Sequence, residues 1–354
     1  MLDIQEFILR GPLSDGGLAL CFKRCRPSTP LPQPRDNDPK NQVVLFLAHC
    51  VGQHKESWFP TLEHLFSIQA SSPLPSNAST TRSIGEAWVM DSQNHGYSGI
   101  LNERAWMGRP EGVAATEWAR GAQVLLRSGL IQGTSVIGIG HSAGAGMIVL
   151  AAHHYPLNAS PSFSSIIIID PGIFSPATIS SIKSTNGPLI QITNYTKTKK
   201  DTWDSREAAR AWMVKRLPWS RWNPKVLDLF IEHGLRDLPS ATYPAKTRGV
   251  TLSTPIAQET AGYTHYESAH ESLSSLASVC EVMPVHCIWA GLDGIVNEDM
   301  RREIMDESQG RRMASSVTIR GAAHPIPQEK PAVLASAIWN AIQSQRNQLP
   351  VSRL

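Results

Sequence analysis

The chain has 354 residues, of which 41% are hydrophobic and 18% are charged. This composition is ordinary for a globular protein, and the length predicts one large domain with an insertion, or two domains. The 33 basic and 30 acidic residues leave a formal charge of only +3, which disfavours nucleic acid as a main partner.

The N-terminal segment MLDIQEFILRGPLSDGG lacks the features of a secretory signal. Asp3 and Glu6 stand where such a signal has a basic start and an apolar core. Since no stretch approaches roughly eighteen uninterrupted apolar residues, we expect no membrane span. The five cysteines are odd in number and lack a paired C-x-x-C spacing, which favours reduced thiols in an intracellular compartment.

Apolar, β-rich runs recur along the chain and predict the strands of a sheet. They cover 42–49, 87–92, 135–140, 164–171, 284–291 and 315–324. Between them, segments 111–129 and 330–345 carry apolar residues at helical spacing. Strands that are continuously hydrophobic and separated by helices predict a mostly parallel central sheet with helices on both faces. The predicted fold class is therefore α/β.

Several segments interrupt this alternation. Segments 23–41 and 69–83 are rich in proline, serine and charge and predict exposed loops. A longer interruption, from about Phe174 to Val282, has amphipathic helical patterns and several tryptophans, and we interpret it as an inserted helical cap. The predicted organisation is a first core part at 1–173, the cap at 174–282, a second core part at 283–349 and a tail at 350–354.

The stretch VIGIGHSAGAG places a serine between glycines where a predicted strand passes into a predicted helix. Residues 140–144 spell G-x-S-x-G, the pattern of a nucleophile elbow, with Ser142 at its centre. A serine hydroxyl is a poor nucleophile near neutral pH, so it needs a base, a carboxylate that holds the base and donors for the developing oxyanion. We predict that Ser142 is the nucleophile.

Candidates for the base and for the carboxylate that holds it follow Ser142 in the sequence. His324 lies between the last predicted strand and the last helix, so it follows the serine and the acid in the order expected for this elbow. Asp170 ends one predicted strand and Asp293 follows the penultimate one. Because strand ends on this side of a parallel sheet share one crevice, either carboxylate can orient His324.

With these residues in place, the chain resembles the α/β-hydrolase superfamily over nearly its whole length. It looks most like the fungal peroxisomal hydrolases of toxin and polyketide pathways, including the acyl-CoA hydrolase of mycophenolic acid biosynthesis. The segments that carry this resemblance are AHCVGQHKESW, GIGHSAGAG, IIIIDP, DTWDSREAARAWM, FIEHGLRDLPS and VTLSTP. The resemblance implies a thioester or ester substrate with its acyl group under the cap. It inclines the choice of acid to Asp170 and leaves Asp293 open.

The fold also suggests where the oxyanion donors lie. His49 ends the first long strand, where this fold commonly has a His-Gly pair whose following residue lends a backbone N–H to the oxyanion hole. Cys50 replaces that glycine here, so the predicted donors are the amides of Val51 and Ala143. Cys50 is also a less favoured second nucleophile. The residues that we predict to contact the substrate are His49, Cys50, Tyr97 and Trp58.

Other polar residues have weaker claims to a role in function. For a CoA ester, the lysines of TKTKKD at 196–201 could meet phosphates, although a solvated charged loop is the commoner meaning of such a run. His141, beside Ser142, and His95, in a loop near the site, are histidines for which a structural role is favoured.

The chain ends in Ser352-Arg353-Leu354, one conservative exchange from the S-K-L peroxisomal address. This ending predicts import into the peroxisome through its import receptor. The predicted function is a serine hydrolase that cleaves an acyl-CoA thioester or ester of a fungal secondary metabolite and needs no metal or organic cofactor. The alternatives are an acyltransferase or lyase on the same scaffold, and a non-catalytic binding protein with a degenerate hydrolase fold.

Overall fold

The structure, a computed structural model, describes residues 1–29, 42–72, 82–133 and 135–344. Its strands are β1 (Leu2–Arg10), β2 (Ala19–Pro27), β3 (Gln42–Ala48), β4 (Ser83–Met90), β5 (Ser135–His141), β6 (Ser162–Ile169), β7 (Thr202–Trp203), β8 (Leu235–Asp237), β9 (Val250–Leu252), β10 (Val285–Ala290) and β11 (Ser315–Ile319). None of the helices in these ranges has the length and apolarity needed to cross a membrane.

The helices alternate with the strands along most of the chain. They are α1 (Phe59–Ser71), α2 (Gly96–Leu101), α3 (Glu103–Trp106), α4 (Ala115–Leu126), α5 (Ala143–His154), α6 (Pro176–Ser184), α7 (Pro188–Thr198), α8 (Arg206–Met213), α9 (Pro224–His233), α10 (Ile256–Gly262), α11 (Tyr266–Val282), α12 (Glu298–Ile304), α13 (Ile326–Glu329) and α14 (Pro331–Ser344).

A central sheet of eight strands has the order β1-β2-β4-β3-β5-β6-β10-β11. Strand β2 is antiparallel to both of its neighbours, and the strands from β4 to β11 in this order are parallel to one another. The predicted mostly parallel sheet is thus confirmed. Because the parallel strands all end at the same edge, that edge is where a crevice for a ligand forms.

Strand β6 shows why these apolar runs form the centre of the sheet. Its four consecutive isoleucines at 166–169 are all fully buried. Ile166 and Ile168 belong to the core on one face of the sheet, and Ile167 and Ile169 belong to the core on the other. Each fully buried aliphatic side chain stabilises the fold by about 1.5–3 kcal/mol, so a continuous run is stable only with cover on both faces.

Helices supply that cover. Buried residues of α4, α5 and α11 form one core with the sheet, and those of α1 and α14 form the other. The predicted helices at 111–129 and 330–345 correspond to α4 and α14, which are shorter at their ends. The predicted helices on both faces are confirmed.

The segment predicted as a helical cap contains more than helices. Strands β7, β9 and β8 form a separate antiparallel sheet within it. Its own core is rich in aromatic residues, among them Trp203, Trp219, Trp222 and Phe230. Helix α11, inside the predicted boundary at 282, packs with α5 in the core of the main sheet. The interruption of the main fold therefore ends before α11, and the division into domains stays a prediction.

The predicted loops near the N-terminus need correction. Lys23 to Pro27 lie in β2, which pairs with β1 along its full length, so this part of segment 23–41 is strand. Of segment 69–83, the first residues belong to α1 and Ser83 starts β4. The remaining parts, 30–41 and 73–81, lie outside the described residues, as does the terminal tripeptide Ser352-Arg353-Leu354.

Candidate active site

Ser142 occupies a tight turn between β5 and α5. Its backbone has φ 55° and ψ −119°, a conformation that L-residues rarely adopt. The flanking glycines make this turn possible. A Cβ on Gly140 would lie 2.3 Å from the Gly144 carbonyl oxygen, and one on Gly144 would lie 2.3 Å from the His49 carbonyl oxygen. The G-x-S-x-G pattern is therefore a strained elbow here, as predicted from its position after a buried strand.

The imidazole of His324 lies between Ser142 and Asp170. Its Nε2 is 2.9 Å from Ser142 Oγ, and its Nδ1 is 2.7 Å from Asp170 Oδ2. A carboxylate only accepts hydrogen bonds, so Nδ1–H donates to Asp170 and Nε2 of the neutral ring accepts from the serine hydroxyl. This tautomer is the one in which His324 can remove the serine proton.

The Asp170 carboxylate is fixed by the neighbouring strand. Asp170 follows β6 with φ 39°, and its Oδ1 accepts a 3.0 Å hydrogen bond from the backbone N–H of Ala290 at the end of β10. Arg301 Nη2 is 3.9 Å from the same oxygen. Oδ1 is therefore held within the fold, which leaves Oδ2 directed at His324.

Asp293, the alternative acid, is exposed in the turn that follows β10. Within the described residues, no hydrogen bond or ion pair joins it to His324. Of the two candidate carboxylates, the structure brings only Asp170 to the imidazole. Asp170 is buried and held against the end of β10 by the Ala290 N–H, whereas Asp293 lies in an exposed segment three residues beyond that strand.

His141 supports His324 from below. Its Nε2–H donates to the His324 carbonyl oxygen at 2.8 Å, and the two ring centres are 5.1 Å apart. Burial lowers the pKa of His141 to about 3, so this ring is neutral near neutral pH. A neutral ring adds no positive charge beside the imidazole of His324.

The residues whose amides are the predicted oxyanion donors line the same cavity as Ser142. Val51 and Ala143 both line it, and within the described residues neither amide takes part in a backbone hydrogen bond. A Cβ on Gly172 would lie 3.5 Å from Ser142 Oγ and 3.8 Å from the Ala143 nitrogen. Because Gly172 has no side chain, a reacting carbonyl has room beside both groups.

His49 holds the loop that carries one of these donors. Its Nδ1–H donates to the Cys50 carbonyl oxygen at 2.7 Å, while its Nε2 accepts the Ser92 N–H at 3.1 Å. Burial lowers the pKa of His49 to about 4, which keeps the ring neutral. His49 and Cys50 both line the cavity, and their contact with a substrate stays a prediction.

Cys50 is poorly suited to be a second nucleophile. Burial raises the pKa of its thiol to about 12, and the nearby Glu259 carboxylate acts in the same direction. The reactive form of cysteine is the thiolate, which is scarce near neutral pH when the pKa is so high. Cys50 is a small apolar part of the cavity wall.

Tyr97 and Trp58 do not lie beside Ser142, although the sequence predicted that they contact the substrate. Neither lines the cavity beside Ser142. Trp58 is only 1% exposed and packs in the core on the α1 and α14 side of the sheet, whereas Tyr97 is 39% exposed and has Lys55 Nζ 5.9 Å from its ring centre. Their predicted contacts with a substrate do not fit this position away from the cavity.

The cavity beside Ser142 is mostly apolar. Its apolar wall comes from the core, from the segment after β6 and from α12, and includes Val113, Trp118, Ile173, Phe174, Leu189 and Met300. Among the described residues, no lysine, arginine, aspartate or glutamate lines it. The lysine run at 196–201 is separate: Lys199 is 8% exposed and paired with Glu259, so it is engaged within the protein.

Two glycines of the site were missed at the sequence level. Gly172, just after Asp170, leaves space beside the nucleophile, and Gly52, just after Val51, has φ 74°. In each case the available signal was a glycine one or two residues after a candidate site residue, which marks a close backbone approach or a left-handed turn.

The parallel sheet and the serine elbow are typical of α/β hydrolases. Residues 44–337 match the alpha/beta hydrolase family. The chain therefore belongs to this family, and the predicted α/β-hydrolase fold is confirmed. The protein thus has the α/β-hydrolase fold.

Its relatives narrow the comparison. The type I acyl-CoA thioesterase mpaH of Penicillium roqueforti is 29% identical over 240 residues, which cover 64% of this chain and 49% of that protein. The type I acyl-CoA thioesterase mpaH' of Penicillium brevicompactum is 29% identical over 239 residues, 61% of this chain and 48% of that protein. The chain thus spans about half the length of these curated relatives.

Solved structures agree on the fold. The peroxisomal alpha-beta-hydrolase Lpx1 from Saccharomyces cerevisiae has a TM-score of 0.72 at 16% identity, covering all of this chain (100%) and 92% of that one. The thioesterase domain from the curacin biosynthetic pathway has a TM-score of 0.59 at 13% identity, covering 95% and 99%. At these identities the likeness shows the architecture alone.

Proposed function

We propose that the protein is a serine hydrolase that cleaves an acyl-CoA thioester, or a related ester, through an acyl-enzyme on Ser142. The observation that carries the proposal is the hydrogen-bonded chain from Asp170 through His324 to Ser142, with the uncommitted amides of Val51 and Ala143 in the same cavity. The names of the Penicillium relatives support a thioester of CoA as the substrate.

The proposed reaction follows from the direction of these hydrogen bonds. As Ser142 Oγ attacks the carbonyl carbon, its proton passes to His324 Nε2, and the carboxylate of Asp170 stabilises the resulting imidazolium. The carbonyl oxygen becomes an oxyanion that accepts hydrogen bonds from the amides of Val51 and Ala143. His324 then gives its proton to the leaving sulfur or oxygen, so that the thiol or alcohol departs and the acyl group stays on Ser142.

Water completes the cycle. His324, neutral again, removes a proton from a water molecule whose oxygen attacks the acyl carbon. The bond between that carbon and Ser142 Oγ breaks, and the serine oxygen recovers its proton from His324. The products are a carboxylic acid and the free thiol or alcohol, and the enzyme returns to its starting state.

The cavity supports an apolar, uncharged acyl group. Trp118 and Phe174 offer aromatic surface, and two of the three histidines in the wall, His49 and His95, are kept neutral because burial lowers the pKa of each. The third, His265, has its Nε2 engaged by the Glu111 carbonyl oxygen. A carboxylate on the acyl group would lose its hydration there without gaining a cationic partner. We propose a bulky apolar acyl group of a fungal secondary metabolite, in keeping with the resemblance to the Penicillium thioesterases.

A substrate panel tests this function. Purified protein is given CoA thioesters of increasing chain length and ring content, with matched p-nitrophenyl esters, and release of free thiol or p-nitrophenol is followed. We expect the highest kcat/KM for an apolar acyl-CoA and none above background for Ser142→Ala. Transfer of the acyl group to an added amine or alcohol in preference to water would instead identify an acyltransferase.

The proposed location is the peroxisome. Its support is the tripeptide Ser352-Arg353-Leu354, together with the peroxisomal description of the yeast structural relative. A fluorescent protein fused to the N-terminus of the chain should collect in peroxisomes of a fungal cell, and Leu354→Asp should leave it dispersed. Equal distribution of both fusions would refute the assignment.

A further inference from the structure

The loop that carries the Val51 amide is held by a second histidine. The backbone N–H of Gly52 donates a 3.0 Å hydrogen bond to Nε2 of His95, which lies just before α2. His49 Nδ1–H holds the Cys50 carbonyl in the preceding peptide group. The His49 and His95 ring centres are 5.2 Å apart. Two consecutive peptide groups of this loop are therefore each fixed by one histidine.

Peptide planarity connects these contacts to the oxyanion hole. The Cys50 carbonyl and the Val51 N–H belong to one planar peptide group, so fixing the carbonyl fixes the direction of the N–H. The next peptide group joins Val51 to Gly52, and its N–H is the one bound by His95. Rotation of this second group would change ψ of Val51 and φ of Gly52, and would so remove one of the two anchors that hold the loop on either side of Val51.

The protonation state of His95 is set by a directed chain of hydrogen bonds. Since Nε2 accepts from Gly52, Nδ1–H must donate, and its acceptor is Asn94 Oδ1 at 2.7 Å. Asn94 Nδ2 then donates to Gln258 Oε1 at 3.0 Å, and Gln258 Nε2 donates to the Arg109 carbonyl at 2.7 Å. Burial also lowers the pKa of His95, which keeps Nε2 free to accept.

The residue after Gln258 holds the loop from another side. A Cβ on Gly52 would lie 2.7 Å from Glu259 Oε1, so the Glu259 carboxylate packs directly on this glycine. Lys199 Nζ pairs with the same carboxylate at 2.5 Å, and both side chains are nearly fully buried. Helix α10 thus contributes two adjacent side chains to this arrangement. Gln258 reaches the loop through Asn94 and His95, and Glu259 contacts the loop directly at Gly52.

We propose that His95 is a positioning residue for the oxyanion hole, which acts by accepting the Gly52 N–H so that the Val51 amide faces the reacting carbonyl. This inference rests on the proposed serine hydrolase function. It assigns a chemical task to the hydrogen-bond chain from Arg109 to Gly52, since that chain leaves Nε2 of His95 as the acceptor for the loop. The transition state, which carries the oxyanion, depends on this arrangement more than the bound ester does.

The test uses two amide substitutions that mimic different ring nitrogens. In His95→Gln the side-chain oxygen can reach the position of Nε2 and still accept the Gly52 N–H. In His95→Asn the shorter side chain can replace only Nδ1. The matched control is His64→Gln, at an exposed position on α1. Rates of p-nitrophenyl butyrate hydrolysis give kcat and KM for each variant, and thermal unfolding reports whether each is folded.

We expect His95→Asn to lower kcat by about tenfold to a hundredfold with KM within about threefold, because removing an oxyanion donor costs ~10²–10³ and displacing one costs less. His95→Gln and His64→Gln should retain kcat within about threefold of the wild type. An unchanged kcat in His95→Asn, or equal losses in the Gln and Asn variants, would overturn the proposal.

A second variant covers the case in which His95→Asn does not fold. Asn94→Leu removes the acceptor for Nδ1–H without touching the loop, and it should lower kcat by at least about threefold at unchanged KM. No loss in a folded Asn94→Leu variant would count against the directed chain. Either result would overturn the role of His95 while the wild type stays active. If the proposed function were wrong, the wild type itself would hydrolyse none of the substrates in the panel.

Discussion

Asp170 Oδ1 accepts the backbone N–H of Ala290, so a carboxylate after one strand is oriented by the end of the next. The strands concerned, β6 and β10, are parallel neighbours in the sheet. Oδ2 of the same carboxylate is then 2.7 Å from His324 Nδ1. The acid of the proposed triad is therefore positioned by sheet pairing, and His324 is positioned in turn by the acid.

This relationship predicts a sharp contrast between the two candidate acids. Asp170→Asn should lower kcat by about 10⁴, because an amide at this place favours the wrong tautomer of His324. Asp293→Asn changes an exposed turn and should leave kcat within about threefold of the wild type. Steady-state kinetics on the best CoA thioester measure both. Comparable losses in the two variants would show that Asp170 does not hold the imidazole.

The glycines of the elbow predict a stability effect. Gly140→Ala would place a Cβ 2.3 Å from the Gly144 carbonyl oxygen, and backbone must move to relieve the contact. We expect the free energy of unfolding to fall by about 1–3 kcal/mol or more, as for other overpacked sites. Gly108→Ala is the matched control, since its Cβ would meet nothing within 4 Å. Urea unfolding of both variants measures the two free energies. Equal stability of the two would contradict the close approach of Gly140 to the Gly144 carbonyl oxygen.

The cavity wall predicts discrimination against charge on the acyl group. Hexanoyl-CoA and adipoyl-CoA have acyl chains of the same length, but the second ends in a carboxylate. Because the described part of the wall offers no lysine or arginine, kcat/KM for adipoyl-CoA should be at least about a hundredfold lower, equivalent to about 2.7 kcal/mol. Similar values for both substrates would mean that the carboxylate finds water or a cation.

Cys50 should be chemically quiet. With a thiol pKa of about 12, the thiolate fraction rises only as the pH approaches that value, so alkylation by iodoacetamide should be slow near neutral pH and should accelerate at alkaline pH. Cys50→Ser leaves Ser142, the proposed nucleophile, unchanged and should therefore keep most of the activity. Rapid alkylation of Cys50 at neutral pH, followed by mass spectrometry, would show that burial does not control its reactivity.

The sequence alone predicted the candidate nucleophile and base more accurately than the residues that surround them. Ser142 and His324 could be found because each is tied to a local pattern, a strand that leads into G-x-S-x-G and a histidine that lies between the final strand and the last helix. The acid stayed open since Asp170 and Asp293 both follow strands of the same sheet. The direction in which the chain turns after each strand, which decides between them, leaves no mark in the local sequence.

Contacts that depend on the path of the chain in space were harder to predict. Tyr97 is near His95 in sequence but points away from the cavity wall to which His95 belongs. Strand β2 carries arginine and lysine in its second half, where a simple hydrophobic pattern predicts a loop. The strands β7, β8 and β9 have only two or three residues each, too few for a periodic signal.

The central claim is that Ser142 is a nucleophile activated by His324, and a fluorophosphonate probe tests it most directly. The probe forms a covalent bond only with an activated serine, and the modified peptide is identified by mass spectrometry. We predict labelling of the wild type at Ser142, none in Ser142→Ala and strongly slowed labelling in His324→Ala. A wild type that stays unlabelled while folded, or that is labelled at another serine, would contradict the account.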